Sequence, residues 1–261
     1  MSSYDKLDKY VSFAITSNRY CSCVIKGRSS TGKTTEVVKA VNKFTGGRYV
    51  YLNGHLTPKE LFNCYRDNAS SIIVLDDIDS LLANKTAIGI LKSASLESGS
   101  GTRRINYTAT NIYDDDVSID FIGKTFLLCN HLPRNPDMLA ILSRSIYYNF
   151  NPTNTEIVEQ IKKWEDYDKE VLDYLSFIFG QNNQLNYRHY VKAVELKELY
   201  GDEWKDLIIP LLNISDRYGL LYNLTQNRAL AVEEQAKEYV KQTGRSRASF
   251  YRDKKKIGGG E

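Results

Sequence analysis

Residues 23–34 read CVIKGRSSTGKT. An apolar run, Cys23-Val24-Ile25, leads into a loop bounded by Gly27 and Gly32 and closed by Lys33 and Thr34. The spacing Gly-x-x-x-x-Gly-Lys-Thr is that of a phosphate-binding loop set between a strand and a helix. The two glycines permit backbone angles and a close approach that a Cβ would forbid. N–H groups along Gly27, Arg28, Ser29, Ser30, Thr31, Gly32 and Thr35 could then converge on a nucleotide's phosphates. The following helix adds the positive end of its dipole. Lys33 would reach the β- and γ-phosphates, and the Thr34 hydroxyl would ligate Mg²⁺. The flanks agree: Tyr20 to Lys26 reads as a strand, and Thr35 to Phe44 as a helix carrying Val37, Val38 and Val41.

A second buried run follows. Ile72-Ile73-Val74-Leu75 precedes two acids, Asp76 and Asp77. Four consecutive apolar residues predict a parallel strand covered on both faces, and ligands of open α/β sheets bind at the carboxyl ends of such strands. Asp76 is therefore the second candidate for holding hydrated Mg²⁺, and Asp77 the candidate for orienting or deprotonating the attacking water. Residues 124–130 form a third buried run that ends in the polar Asn130.

The 261 residues suffice for a core domain with one or two small additions. No apolar run approaches the ~20 residues of a membrane span, and residues 1–9 are too polar for a secretory signal. The expectation is a cytoplasmic protein without a membrane partner, in the host cytoplasm if the source is viral. The four cysteines lack paired spacing and the three histidines are scattered, so the cysteines read as core packing. Formal net charge is only +3, but from Lys241 to Ile257 seven Lys or Arg stand against one Asp. A basic end of that kind points to an anionic partner.

In order and spacing, these motifs resemble the AAA+ ATPases over roughly residues 10 to 200. The resemblance implies an α/β P-loop NTPase core, a parallel sheet with helices on both faces, over 1–150. It implies a small helical lid over 151–202 and a C-terminal (winged) helix-turn-helix over 203–261. Asn130 looks like sensor 1, the polar side chain that contacts the attacking water or γ-phosphate. The segment AILSRSIYY, ahead of the alternating strand Ile146–Phe150, is similar to the arginine-finger segment, with Arg144 as the finger. LNYRHYVKA is similar to the sensor 2 helix, with Arg188 reaching the γ-phosphate from the lid. Asn53, closing the strand Tyr49 to Leu52, takes the place of a polar switch residue. Asp77 stands where many AAA+ proteins carry Glu, and the Asp-Asp-Ile form is similar to replication initiators, helicase loaders and superfamily III helicases.

Between the acids and Asn130, Leu81 to Leu96 reads as one helix ended by Gly99-Ser100-Gly101. Residues 102–108 and 117–121 alternate around Asp114-Asp115-Asp116, which predicts a β-hairpin. In superfamily III helicases a hairpin in this slot points into a ring's pore and touches DNA. Arg103 and Arg104 beside Tyr107 have the residue types for phosphate contact and base stacking.

Residues 151 to 200 carry helical patterns, and Trp204 to Leu212 lines another helical face. Tyr218 to Leu224 reads as strand-like or irregular. Val232 to Gln242 predicts a helix, Thr243-Gly244-Arg245 a turn, and Ser246 the N-cap of a helix over Arg247–Ile257. This resembles a helix-turn-helix whose DNA contacts would be Arg245, Arg247, Ser249, Tyr251 and Arg252.

The resemblance implies an ATPase that uses ATP and Mg²⁺, binds DNA, and assembles as a homo-oligomer with Arg144 acting in trans. Replication initiation or helicase loading is the implied role, with a replicative helicase among its partners. The alternatives are a superfamily III-like helicase, a nucleotide-switched DNA-binding transcription regulator without turnover, and a transposition-assisting ATPase. The compactness is similar to AAA+ proteins of archaeal viruses and plasmids.

Overall fold

The apolar runs become the strands of one sheet. In the computed structural model, which describes residues 1–96, 101–107, 117–180 and 184–257, the strands are β1 (Ser22–Gly27), β2 (Val50–Asn53), β3 (Ile72–Asp76), β4 (Arg103–Tyr107), β5 (Val117–Phe121), β6 (Lys124–Cys129) and β7 (Ile146–Phe150). Five of them pair in parallel in the order β2-β3-β6-β1-β7. β1, β3 and β6 lie inside the sheet and are the near-continuous apolar runs, as burial on both faces requires. The register sets Asn53 beside Asp76, Asp76 beside Leu128, and Lys26 beside Cys129. The carboxyl ends of β1, β3 and β6 therefore meet at one edge.

The sheet belongs to a unit spanning Met1–Asn151. Its helices are α1 (Ser3–Thr16), α2 (Lys33–Thr45), α3 (Pro58–Asp67), α4 (Asp79–Leu82), α5 (Lys85–Ala94) and α6 (Pro136–Ser143). α1 has no counterpart in the sequence reading. Ser2 and Asp5 form a reciprocal cap at its start, and Tyr4, Leu7, Val11 and Ala14 bury one stripe of it. The helix expected over Leu81 to Leu96 is two helices, because the Asn84 side chain accepts from the N–H groups of Thr86 and Ala87 and starts α5 afresh. β4 and β5 form the expected antiparallel pair. The acidic turn at Asp114-Asp115-Asp116, Thr108 and the stop at Gly99-Ser100 lie outside the described residues.

The unit Pro152–Glu261 holds α7 (Asn154–Ile161), α8 (Lys169–Phe179), α9 (Tyr187–Tyr200), α10 (Trp204–Leu211), α11 (Arg217–Gln226), α12 (Val232–Thr243) and α13 (Arg247–Ile257). No strand occurs among its described residues, so they contain no wing. The stretch expected as strand-like is α11, which buries Tyr218, Leu221 and Leu224 at a spacing of three. Gly244 (φ 66°) closes α12, and the Ser246 hydroxyl accepts from the Ser249 N–H at 3.3 Å to cap α13. Val171, Leu175, Trp204, Ile208, Leu221, Tyr239 and Phe250 share one core. Lid and helix-turn-helix segments are thus packed as a single body here. A buried polar link adds to it: the Tyr239 hydroxyl donates to Asp253 at 2.7 Å, and Arg217 approaches the same carboxylate at 3.5 Å.

Candidate active site

β1 ends at Gly27, where an added Cβ would lie 2.6 Å from the Phe150 carbonyl oxygen on β7. Only glycine lets the two strands close there. The loop then turns through Ser30 (φ 60°) and Gly32 (φ 85°) into α2, which begins at Lys33. Three bonds pin it. The buried Thr31 hydroxyl donates to the Arg28 carbonyl at 2.9 Å. Tyr4 on α1 donates to the Thr31 carbonyl at 2.9 Å, and Arg28 Nε donates to Asn151 at 3.0 Å.

Lys33 Nζ donates to the carbonyls of Gly27 (3.2 Å) and Cys129 (2.7 Å) and to Asn130 Oδ1 (3.0 Å). Burial lowers the pKa of this ammonium, against the opposing fields of Cys129, Asp76, Asp77 and Asp79. Asn130 Nδ2 donates onward to Asp77 Oδ1 at 3.1 Å. Asp77 is exposed and carries a left-handed φ of 51°, a conformation that costs a non-glycine residue on the order of 1 kcal/mol and clusters at functional sites.

Asp76 is buried, and both of its oxygens are used. Oδ1 accepts the Asp77 N–H at 3.0 Å, while Oδ2 accepts from Thr34 Oγ1 at 2.6 Å and from the Tyr51 hydroxyl at 2.9 Å. Burial and the neighbouring carboxylate raise the Tyr51 pKa, so the phenol stays a donor at neutral pH. A Mg²⁺ ion fits this donor set. A hydroxyl and a carboxylate are hard oxygen ligands, and Thr34 spends its single proton on Asp76, leaving lone pairs for a cation. Among the described residues no cluster of three His, Cys, Asp or Glu could hold a metal alone. Phosphate oxygens and water would complete the shell, as Mg²⁺ prefers.

No protein-family model matches the chain, and no curated protein sequence does. Solved structures do. The fold matches a point mutant of RuvB from Thermotoga maritima with a TM-score of 0.52 at 12% identity, over 97% of this chain and 86% of that one. It matches domain III of the replication initiation protein DnaA from Thermotoga maritima with a TM-score of 0.51 at 16% identity, over 80% and 90%. AMPPCP-bound DnaA from Aquifex aeolicus gives 0.51 at 17%, over 94% and 81%. The fold is that of the AAA+ ATPases.

Within the first unit, Arg144 follows α6 and is half-buried. Its backbone is fixed from the next residue, where Ser145 Oγ bonds to Ser22 Oγ on β1 at 2.6 Å. Its guanidinium has no hydrogen-bond or ion-pair partner among the described residues. Arg188 lies in the other unit, exposed in the first turn of α9 and likewise without a partner. Asn53 donates to the Tyr51 hydroxyl at 3.2 Å and makes no bond to Asp77; the polar side chain that holds Asp77 is Asn130.

Two expected DNA contacts are corrected. Arg103 is 2% exposed, donates to the Gly123 carbonyl and lies 4.9 Å over the Phe121 ring, so it belongs to the core of the hairpin's base. Arg104, on the opposite face of β4, is exposed and donates to Ser118 Oγ at 2.7 Å. Ser249 is 7% exposed, turned toward Ser246 and Arg252. Arg245, Arg247, Tyr251 and Arg252 remain exposed, and Glu233 takes both an ion pair from Arg247 and a hydrogen bond from Tyr251 at 3.1 Å. Sequence reasoning missed Tyr4 and Tyr51, each an ordinary apolar-pattern tyrosine until the strands and helices are assembled.

Proposed function

We propose that the chain is a DNA-binding ATPase acting in replication initiation or helicase loading, assembled as a homo-oligomer. The observation that carries the ATPase reading is the linked set Lys33–Asn130–Asp77 beside Thr34–Asp76 at one sheet edge. Lys33 and the loop N–H groups hold the β- and γ-phosphates. Thr34 and Asp76 would hold Mg²⁺, which when bound would supply positive charge against the phosphates. Asn130 orients the attacking water against Asp77. The water oxygen forms a bond to the γ-phosphorus, the bond to the β–γ bridging oxygen breaks, and the water proton leaves through Asp77, giving ADP and phosphate. Among the described residues the Arg144 guanidinium has no partner, which supports a finger role at a neighbouring copy's γ-phosphate; Arg188 is the candidate lid arginine.

DNA binding draws support from the exposed Arg245, Arg247, Tyr251 and Arg252 on and before α13 and from the basic balance of that segment. The replication reading draws support from DnaA, a replication initiation protein of the same fold. The exposed Arg104 and Asn106 on β4 favour one other form, a superfamily III-like helicase that grips DNA through its hairpin. Phosphate release and gel-shift assays, each with and without DNA, test the proposal. DNA-stimulated turnover without strand separation supports the initiator or loader form, and strand separation by the chain alone supports the helicase form. Absence of turnover with DNA binding retained would replace both with a nucleotide-switched regulator.

A further inference from the structure

β2 runs along the edge of the sheet with Tyr51 and Asn53 on its exposed face and Leu52 on the other. The pairing Asn53↔Asp76 brings that face alongside the acid at the end of β3. Tyr51 reaches along the strand to Asp76 Oδ2 at 2.9 Å, and Asn53 Nδ2 donates to the Tyr51 hydroxyl at 3.2 Å. Tyr51 is 39% exposed and lines a cavity of about 710 Å³, shared with Thr34, Thr35, Val38, Lys39 and Tyr49. Packing alone does not account for the hydroxyl: a phenylalanine would fill the same wall, and only a tyrosine bonds the carboxylate.

Asp76 Oδ2 has two lone pairs, and Thr34 and Tyr51 take both. The carboxylate is therefore locked in rotation, with its remaining acceptor capacity on Oδ1, which has spent one lone pair on the Asp77 N–H. We infer that Tyr51 is a positioning residue for the cation site: it fixes the Asp76 carboxylate, with Asn53 fixing Tyr51, so that Mg²⁺ finds its water-binding oxygen already aimed. This rests on the reading of the loop as a Mg²⁺–nucleotide site. Outer partners of metal ligands typically carry about 10–100-fold in metal affinity.

The test is a titration of the full chain with the fluorescent analogue N-methylanthraniloyl-ADP, repeated over a series of Mg²⁺ concentrations and in EDTA. In wild type, affinity should rise with Mg²⁺ to a plateau. Tyr51→Phe should move the half-saturating Mg²⁺ about tenfold higher while the affinity in EDTA stays unchanged, and Asn53→Ala should move it in the same direction by less. A purely structural role for Tyr51 would alter the melting temperature or the EDTA affinity and leave the Mg²⁺ midpoint in place. An unshifted midpoint in Tyr51→Phe overturns the inference while leaving the nucleotide site intact. A wild type whose affinity ignores Mg²⁺ overturns the site reading itself, and the inference with it.

Discussion

The side-chain amide of Asn130 spans Lys33 and Asp77, accepting from the first at 3.0 Å and donating to the second at 3.1 Å. One residue at the end of β6 thus ties the phosphate-binding cation to the carboxylate proposed to handle water. A triphosphate would compete for Lys33, so the bridge ties the state of Asp77 to occupancy of the loop.

Asn130→Ala should leave nucleotide affinity within a few-fold and lower kcat by about 10²-fold, the scale of losing one oriented polar group in the transition state. Steady-state phosphate release beside equilibrium nucleotide binding separates the two effects. Equal losses in both would make Asn130 a binding residue only.

Arg144 is half-buried and its guanidinium bonds to nothing in its own chain among the described residues. Arg144→Ala should bind nucleotide normally and lose roughly 10³-fold or more in turnover. Mixing it with Asp77→Asn should restore part of the rate, since a mixed interface can pair an intact acid with an intact finger. The rate of mixtures against mixing ratio checks this, and a flat line argues that each copy works alone.

The hairpin gives neighbouring arginines opposite fates. Arg103→Ala should destabilise the first unit by about 2–4 kcal/mol, because it leaves the Gly123 carbonyl unpaired and the Phe121 ring uncovered. Arg104→Ala should change stability by less than about 0.5 kcal/mol and weaken DNA binding. Denaturant melts and gel shifts on both variants measure the contrast.

Part of this was legible in the sequence for a physical reason. Strands buried on both faces are apolar runs, so β1, β3 and β6 and the polar residues that end them stand out without coordinates. Tyr51 did not, because its role depends on the register Asn53↔Asp76, a tertiary fact. The hairpin signal was present but under-read: alternation that buries Ile105 also buries Arg103. α11 was hidden because Gly219 and the aromatic Tyr218 and Tyr222 weaken the local helical preference of a ten-residue stretch, although its buried residues recur at a helical spacing. Residues 203–261 were read as a domain apart from the lid over 151–202, yet Tyr239, Phe250 and Ile257 share one core with Val171 and Leu175 of α8. Removing residues 232–261 would therefore expose that core, and DNA binding is better tested by Arg245→Ala with Arg252→Ala.

His189 stacks on Phe179 with ring centroids 4.8 Å apart, and burial depresses its pKa from 6.5 to about 4. The unfolded chain takes up a proton below its ordinary value while the folded one stays neutral. Stability is complete above pH 6.5 and falls as pH drops toward 4, by at most about 1.4 kcal/mol per unit. Melting temperatures of wild type and His189→Gln at pH 7.5 and 5 check the sign: wild type should lose more on acidification.

The most direct measurement is phosphate release from Mg²⁺–ATP by the full chain and by Asp77→Asn, with nucleotide affinity measured on both. Wild type should turn over, and Asp77→Asn should bind as tightly while releasing phosphate at least about 10²-fold more slowly. Equal rates in the two proteins, or no nucleotide binding by wild type, would contradict an ATPase centred on this sheet edge.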